Sequence, residues 1–449
     1  MKIDFTEGNI EKKLLSFSIP ILLGVMFHTV YNIVDTIFVG MLGPNELAAV
    51  SLTFPVLFIF IAFASGLEVG ANVLISQAIG RKNIKEASNL AEHGLAIGLV
   101  VGIFLSLFCI LFSPLIFEFM GADSVVLPMA ITYSVPIFIG LIFMFLWFVS
   151  DAILRAQGDS KTPLKIMVIS GVINLILDPL LIFGLFGFPE FGLAGAAYAT
   201  VFARIIGAIL MFMIILKPNA KIPLAIKNFK PRPEYLKNIF VVGMPAAFSQ
   251  LLTSLGLILL TGIVGSFGSL AIAAFGIVQK LNMVVVMPFI GISSALATFV
   301  GQNIGAKKSW RIKKAFNFSL KLAFGFSVLF AFIVLFYSDL FIRVFTSDLE
   351  VIRIGSEYLS IAIFAYIAYS ITFIIRGVFQ GAGKTDIALL TNLLSWVVVV
   401  IFAFYLSGVM GLFGIWVAVV AGAISEVIVS SWIYLSKKWL PIRLCRNHL

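Results

Sequence analysis

The chain has 449 residues, of which 61% are hydrophobic and 12% are charged, and its formal net charge at pH 7 is +10. A soluble domain has no interior large enough to hide that much apolar surface, so the composition excludes a soluble globular protein and indicates a membrane protein. The basic residues are scattered over many segments, which argues against nucleic-acid binding and is accounted for by topology and anionic lipid.

Twelve apolar segments are long enough to cross about 30 Å of hydrocarbon as α-helices. Long apolar runs, instead of short alternating segments, exclude a membrane β-barrel. We therefore predict an all-α polytopic membrane protein with 12 transmembrane helices. The predicted spans lie near residues 14–40, 48–78, 88–113, 126–154, 163–186, 192–216, 239–265, 270–301, 315–337, 351–380, 386–407 and 411–436.

The distribution of Lys and Arg predicts the orientation of these spans. If the N-terminus is cytoplasmic, 26 of the 31 basic residues fall in cytoplasmic segments. The positive-inside rule therefore predicts a multi-pass plasma-membrane protein with both termini in the cytoplasm. Residues 217–237 are polar and rich in Pro and Lys, and we interpret them as a cytoplasmic linker between an N-terminal lobe, 1–216, and a C-terminal lobe with a basic tail, 238–449.

The two halves of the chain repeat each other. Residues 36–50 recur as residues 261–275, and the same spacing of 225 aligns Pro20 with Pro245 and Gln77 with Gln302. Such a duplication predicts two pseudo-symmetric lobes of six helices each. Because repeats of this kind usually enclose a substrate path, the duplication indicates a transporter.

One helix face in the first span carries four polar residues. His28, Tyr31, Asn32 and Asp35 follow one another at helical spacing in an otherwise apolar helix. An ionisable side chain inside a span is costly to keep in lipid, so it normally faces a cavity or a partner. We predict that this face lines a pocket.

A second acid lies in the fifth predicted span, where Asn174 precedes Asp178 by one helical turn. Asp35 and Asp178 are at similar depth, roughly 7–12 Å from the outer end of their helices. Two buried acids that share a site can hold a proton near neutral pH and release it when the pocket rehydrates. The alternative is that each Asp satisfies a broken helix locally, as Pro179 after Asp178 allows.

Three further residues are candidates of lower rank. Pro20 allows a bend in the first helix, with or without a switching role. Lys280 and Glu68 lie in predicted spans, where they could pair or line an exit path, although Lys280 could also extend toward the membrane surface. The sequence shows no metal cluster, nucleophile or phosphate loop, so we expect no cofactor and no enzymatic activity.

Five sequence features occur in order along the chain. They are Pro20, Tyr31-Asn32-x-x-Asp35-x-x-Phe38-Val39-Gly40, Ser76-Gln77-x-x-Gly80-Arg81, Arg155-x-Gln157-Gly158-Asp159-x-Lys161-Thr162-Pro163 and Asn174-x-x-x-Asp178-Pro179. Together they resemble one transporter family, the multidrug and toxic compound extrusion (MATE) family, and the similarity spans essentially the whole chain. The branch that the chain most resembles is that of the DNA-damage-inducible F proteins.

The resemblance implies two six-helix lobes that alternate access and export cationic or amphipathic compounds in exchange for H⁺ or Na⁺. It also implies an N-lobe pocket that contains Tyr31, Asp35, Asn174 and Asp178, where Na⁺ could replace the proton at the two acids and Asn174. Two positions depart from the family pattern. Thr253 stands where sodium-coupled members carry an acid, and Asp151 stands where an Asn is usual. Asp151 either adds a third acid to the pocket or faces the cytoplasmic loop.

We therefore predict a monomeric antiporter, coupled to H⁺ in preference to Na⁺, whose coupling residues are Asp35 and Asp178. The expected partners are the lipid bilayer and a cationic or amphipathic small molecule. The alternative is a flippase for a lipid-linked saccharide or polyisoprenoid. A flippase that handles pyrophosphate would need a basic cavity, whereas the charges placed in the N-lobe are acidic.

Overall fold

The computed structural model describes residues 3–217, 221–224 and 229–440, and its regular elements are helices. Apart from one short 3-10 turn, Leu185–Gly187, they are α-helices. In chain order these are α1 (Ile10–Gly40), α2 (Pro44–Gly80), α3 (Ile84–Phe119), α4 (Val126–Ile139), α5 (Leu141–Ala156), α6 (Lys161–Phe183), α7 (Leu193–Ile215), α8 (Pro233–Gly265), α9 (Ser269–Gly305), α10 (Ser309–Arg343), α11 (Leu349–Gly381), α12 (Thr385–Met410) and α13 (Leu412–Leu435).

The helices confirm the predicted membrane spans. Among the described residues, 11 helices are each long and apolar enough to cross a bilayer, and α4 and α5 together form a twelfth span. The predicted all-α fold with 12 spans is therefore correct.

The fourth span is bent by 42° where α4 meets α5, which the sequence analysis did not predict. Pro136 in the last turn of α4 removes a backbone donor, and this weakens the helix just before the bend. The helix is interrupted at Gly140, between α4 and α5. A Cβ atom at this position would lie 3.0 Å from the side chain of Val201 in α7. The small residue allows α7 to approach the bend closely.

The chain forms two compact units, which we call unit 1 and unit 2. Unit 1 is built mainly from Ile19–Ala247, and unit 2 from Phe5–Ser18 and the chain from Phe248 onward. The boundary in α1 falls next to Pro20 and the boundary in α8 next to Pro245, which are equivalent positions of the sequence repeat. The lobe boundaries at residues 216 and 238 stay a prediction.

Small residues bring the helices of unit 1 into backbone contact. A Cβ atom on Gly66 of α2 would lie 2.7 Å from the carbonyl oxygen of Gly243 in α8. In α7, Gly207 leaves room for the indole ring of Trp147 from α5, which a Cβ atom would approach to 1.8 Å. Helices in membranes associate through such close packing, because lipid supplies no hydrophobic force between them. The glycine in α7 also positions Trp147 beside the cavity described below.

Unit 2 has an aromatic interior. The rings of Phe275, Tyr358 and Trp416 stack with interplanar angles of 8° to 10°, and the last two have centroids 4.1 Å apart. The segment before α1 also belongs to this unit, where Phe5 is fully buried and its backbone N–H donates to Gln302 Oε1 at 3.1 Å. Arg311 caps the same segment by donating to the carbonyl oxygen of Glu7 at 2.8 Å.

Candidate functional site

Unit 1 contains a cavity of about 200 Å³ that is lined by side chains from five helices. These helices are α1, α2, α5, α6 and α7, so the cavity lies inside one bundle. The lining combines aromatic rings with an unusual number of ionisable groups for a membrane interior. The residues that matter for its chemistry are His28, Tyr31, Glu68, Trp147, Phe148, Asp151, Arg155, Asn174, Thr200 and Arg204.

Next to this cavity, α1 and α6 bring two carboxyl groups together. The carboxyl groups of Asp35 and Asp178 lie close enough to interact with each other. Asn174, one turn before Asp178, donates its side-chain amide to Asp178 Oδ1 at 3.2 Å and lies 3.4 Å from Thr200 Oγ1. Asn174 and Asp178 are both buried, so this amide fixes the orientation of the Asp178 carboxyl group.

A hydrogen bond between the carboxyl groups of Asp35 and Asp178 requires that one of the two groups is protonated. Asp35 Oδ1 and Asp178 Oδ2 are buried, and no N–H or O–H group of the described residues donates to them. An ionised carboxylate only accepts hydrogen bonds, so two ionised groups in contact would repel each other. The arrangement therefore suits a pair of acids that together carry one proton.

A cationic side chain lies near Asp35, and the sequence analysis gave it no role. The guanidinium group of Arg204 in α7 interacts electrostatically with Asp35, Tyr31 and His28. Its Nη1 atom is buried and has no acceptor among the described residues. The sequence signal was available, because Arg204 is the one charged residue in the 23 residues of α7. A charge in such a segment indicates a functional position.

The polar face of α1 is divided between the cavity and the helix surface. His28 and Tyr31 line the cavity, and their ring centroids are 5.1 Å apart. Asn32 was predicted to line it as well, but its side chain is exposed. Its amide donates to the carbonyl oxygen of His28 at 2.6 Å, and this bond to the preceding turn holds the amide outside the cavity.

Asp151, for which two locations were open, lines the cavity as part of a buried ion cluster. Arg155 Nε donates to Asp151 Oδ1 at 2.8 Å, and Arg155 Nη1 lies 3.2 Å from Glu68 Oε1. Two carboxylates thus share one guanidinium group. The pairing offsets the free-energy cost of burying these charges. The cluster carries a net negative charge if both carboxyl groups are ionised.

The remaining predicted residues lie outside this cavity. Pro20 is inside α1, which runs without a break from Ile10 to Gly40, so a bend at Pro20 stays a prediction. Lys280 belongs to unit 2, where its ammonium group lies 5.9 Å from the ring centroid of Phe345. Thr253, at the position where an acid was expected for sodium coupling, accepts a hydrogen bond from Asn392 in unit 2 at 3.1 Å.

The described residues contain no group of three or more His, Cys, Asp or Glu side chains placed to hold a metal ion. Six ionisable side chains at or beside the cavity form two separate sets. Asp35 interacts with Asp178 and with Arg204, and Asp151 and Glu68 pair with Arg155. Each set joins two acids to one arginine, which suits the binding and release of a proton.

Comparison with known proteins gives consistent results for sequence and structure. A protein from Bacillus subtilis named as a probable multidrug resistance protein, YoeA, is 31% identical over 89% of this chain and 88% of its own length. An FAD transporter from Shewanella oneidensis is 30% identical over 90% of each chain. A crystal structure described as MATE in the bent conformation has a TM-score of 0.92 at 26% identity and covers 99% of this chain and 98% of its own.

The family profile matches the chain twice. The MatE profile covers residues 20–180 and 245–405, and the two matches begin at the equivalent prolines of the sequence repeat. This family consists of transporters for multidrug export and not of enzymes, and the match does not favour the flippase alternative. The branch of the DNA-damage-inducible F proteins stays a prediction. Because the profile matches more than half of the chain, the protein belongs to the MATE family of membrane transporters.

Proposed function

We propose that this MATE transporter is a proton-coupled antiporter of the plasma membrane that exports cationic or amphipathic small molecules by alternating access. The observation that carries the proposal is the contact between the carboxyl groups of Asp35 and Asp178 inside unit 1. A pair of this kind binds one proton when water is excluded from its surroundings and releases it when water enters. This step couples a proton gradient to transport.

Arg204 favours a proton over Na⁺ as the coupling ion. With one shared proton, Asp35 and Asp178 carry a single negative charge, and the guanidinium group of Arg204 balances it. A sodium ion in place of this proton would give the same total charge, but it would be a separate cation close to the guanidinium group, and the two cations would repel each other in a site of low dielectric constant. A proton instead adds no further bulk and forms the carboxyl O–H that the pair lacks.

The mechanism that we propose links the proton to the first helix. Protonation of Asp35, coupled to Asp178 through Tyr31 and Asn174, changes the charge beside the cavity. Helix α1 then bends near Pro20, a residue that cannot donate the helical hydrogen bond to the carbonyl oxygen of Ser16. The bend contracts the cavity and expels the substrate toward the outside, while both termini stay on the cytoplasmic side.

The cavity supports an amphipathic substrate. The aromatic side chains of Tyr31, Trp147 and Phe148 line it, and aromatic ring faces attract lipophilic cations. Its volume of about 200 Å³ is below the roughly 300–1,000 Å³ that drug-sized ligands occupy. A drug-sized molecule would therefore need a wider cavity than the one described.

Arg204 also favours a second candidate substrate class, namely compounds that carry an acidic group. Its buried Nη1 atom has no acceptor among the described residues and could receive a carboxylate or a phosphate oxygen. The relative from Shewanella oneidensis that is named an FAD transporter handles such an anion. Competition of FAD with a cationic dye in the transport assay distinguishes the two classes.

The proposal is tested by dye uptake into inverted membrane vesicles whose lumen is made acidic. Asp35→Asn keeps the size of the side chain but removes the titrating group, so we expect uptake at the level of vesicles without the transporter, with normal expression. Asp178→Asn has the same expected result. The control is Glu118→Gln, which removes an exposed acid near the end of α3 in the same unit. Full uptake by Asp35→Asn would remove this residue from the mechanism.

A further inference from the structure

Unit 2 contains a larger cavity that the transport mechanism does not use. It has a volume of about 910 Å³ and is bounded by the first turns of α10, the end of α13 and the turn that follows α13. We call it the α10–α13 cavity. It lies at the end of these spans that the distribution of Lys and Arg predicts to be cytoplasmic.

The rim of the α10–α13 cavity is strongly basic. Lys313, Lys314, Lys321 and Lys437 line it, whereas Glu11 is the one acid among the lining residues. Lys313, Lys314 and Lys321 are exposed, and none of them forms an ion pair within the described part of the chain. Three cationic groups thus surround one opening, and Glu11 is the one carboxylate among its lining residues.

Two of the lysines lie at different heights along α10. Trp310, Lys314, Asn317 and Lys321 recur at helical spacing, so they share one face of α10. At about 1.5 Å per residue, Lys321 lies about 10 Å farther along the helix than Lys314. Lysines at these two depths can contact both the outer part of a lipid headgroup and the region where its acyl chains begin.

The floor of the cavity is an aromatic stack. The rings of Phe316 and Tyr434 are 4.3 Å apart, and the ring of Tyr434 stacks on Trp439 at 5.4 Å and 8°. Trp439 is buried and donates its indole N–H to the carbonyl oxygen of Tyr434 at 2.9 Å, which fixes the stack. Tyr and Trp side chains are typical of the boundary between lipid and water.

We propose that the α10–α13 cavity binds the headgroup of an anionic phospholipid. The lysines bind the phosphate, and the aromatic stack contacts the glycerol and the first acyl carbons. Basic pockets between helices on the cytoplasmic side are the usual sites for anionic headgroups, and that leaflet is rich in them. The inference does not depend on which ion or substrate unit 1 transports.

Charge complementarity also distinguishes the lipid from other occupants. A cationic drug would be repelled by the four lysines. The C-terminal tail, residues 441–449, lies outside the described residues, and its sequence contains Arg443 and Arg446 but no acid. A tail of the same charge as the rim is a poor ligand for it.

The test measures which lipids the purified full-length protein retains. The protein is equilibrated in micelles with equal amounts of phosphatidylglycerol and phosphatidylcholine, and bound lipids are counted by native mass spectrometry. We expect the wild type to retain phosphatidylglycerol preferentially. The triple variant Lys313→Gln/Lys314→Gln/Lys321→Gln should lose this preference by on the order of 10- to 100-fold, since each lysine near an anionic surface contributes about a fivefold factor.

Two control variants separate charge at this site from charge in general and from misfolding. Lys85→Gln/Lys161→Gln/Lys165→Gln removes three exposed lysines from unit 1 and should retain the preference of the wild type. Lys313→Arg/Lys314→Arg/Lys321→Arg keeps the charge and should also retain it. An equal loss in the unit 1 control, or no loss in the Gln variant, would overturn the proposal.

An arm with inorganic phosphate distinguishes a lipid from a soluble anion. Excess inorganic phosphate should leave phosphatidylglycerol bound, because free phosphate lacks the contacts of the glycerol and acyl carbons with the aromatic floor. Displacement of the lipid by inorganic phosphate would show that the site takes a soluble anion, and the lipid assignment would be wrong.

Discussion

In unit 1 the amide of Asn174 donates to a carboxyl group, whereas in unit 2 the amide of Asn392 donates to neutral oxygens. Asn392 bonds to the carbonyl and hydroxyl oxygens of Ser249 and to the hydroxyl of Thr253, at 2.8 to 3.1 Å. The two residues occupy corresponding helices of the repeat, α6 and α12. The same type of side chain thus orients a titratable group in one unit and joins two helices in the other.

The space around these amides is also filled differently. At the repeat spacing of 225, Tyr31 of α1 corresponds to Gly256 of α8. A Cβ atom on Gly171 would lie 2.4 Å from the ring of Phe27, and one on Gly256 would lie 2.1 Å from the ring of Trp396. Each unit therefore places a large ring against a glycine, but on opposite helices. In unit 1 the position that corresponds to Gly256 is Tyr31, and its ring lies beside a polar cavity.

A third difference lies in the buried ion pairs. Arg155 in unit 1 serves two carboxylates, those of Asp151 and Glu68. Arg376 in unit 2 pairs with one carboxylate of the described residues, that of Glu426, at 2.6 Å. The cluster of unit 1 therefore holds one acid more than the cluster of unit 2. The difference teaches that the duplicated frame can be kept while the buried ionisable groups of the two copies diverge.

The largest effect on stability is expected when the arginine of each cluster is removed. Arg155→Met leaves two buried carboxylates without a counter-ion and Arg376→Met leaves one. Breaking a buried pair costs about 3–5 kcal/mol, so both variants should melt at lower temperature, and Arg155→Met at the lowest. Thermal unfolding of the purified protein in detergent measures this.

The control for this comparison is Arg353→Met, which breaks an exposed ion pair with Glu350 and should leave the melting temperature nearly unchanged. Equal melting temperatures for Arg155→Met and Arg376→Met would show that the second carboxylate of unit 1 adds nothing to the cluster.

The paired asparagines should separate coupling from stability. Asn174→Ala removes the amide that orients Asp178, so we expect roughly 10- to 100-fold slower pH-driven dye uptake, since a hydrogen bond to a charged group contributes about 1.5–3 kcal/mol. Asn392→Ala removes the amide that bonds to Ser249 and Thr253 of the neighbouring helix, and it should cost about 1–3 kcal/mol of stability. Its uptake per folded molecule should keep the pH dependence of the wild type. If Asn392→Ala instead changed the pH dependence, titration would not be confined to unit 1.

The smallest effect is expected for two glycines of α8. Gly256→Ala pushes a methyl group into the indole of Trp396 and should destabilise the protein by about 1–3 kcal/mol. Gly262→Ala, one and a half turns farther along the same helix, meets nothing within 4 Å and should be neutral or gain up to about 1 kcal/mol from the helical preference of alanine. Denaturation in detergent measures both. A neutral Gly256→Ala would mean that Trp396 is free to move away.

The sequence contained enough information for the spans but not for every side-chain direction. Length and hydropathy located all twelve spans, because the cost of exposing a backbone to lipid leaves few alternatives. The bend at Gly140 was missed because it depends on the approach of α7, a tertiary contact. Asn32 was assigned to the pocket from helical spacing alone. Spacing does not show that its amide donates to the carbonyl oxygen of His28 in the same helix instead of facing the pocket.

Arg204 was passed over for a different reason. The orientation rule counts basic residues in loops, so an arginine within a span was set aside instead of being examined as a partner of the acids. Its place beside Asp35 follows from the packing of α7 against the cavity. Proximity of Asp35 and Asp178 is an observation of the structure, and their role in coupling stays a prediction.

The most direct test of the central claim, that unit 1 couples transport to protons, is dye uptake into inverted vesicles under separately imposed gradients. An acidic lumen without Na⁺ should drive uptake by the wild type, and a Na⁺ gradient at equal pH on both sides should not. The pH-driven uptake should disappear in Asp35→Asn. Uptake driven by Na⁺ alone, or pH-driven uptake that survives Asp35→Asn, would contradict the account.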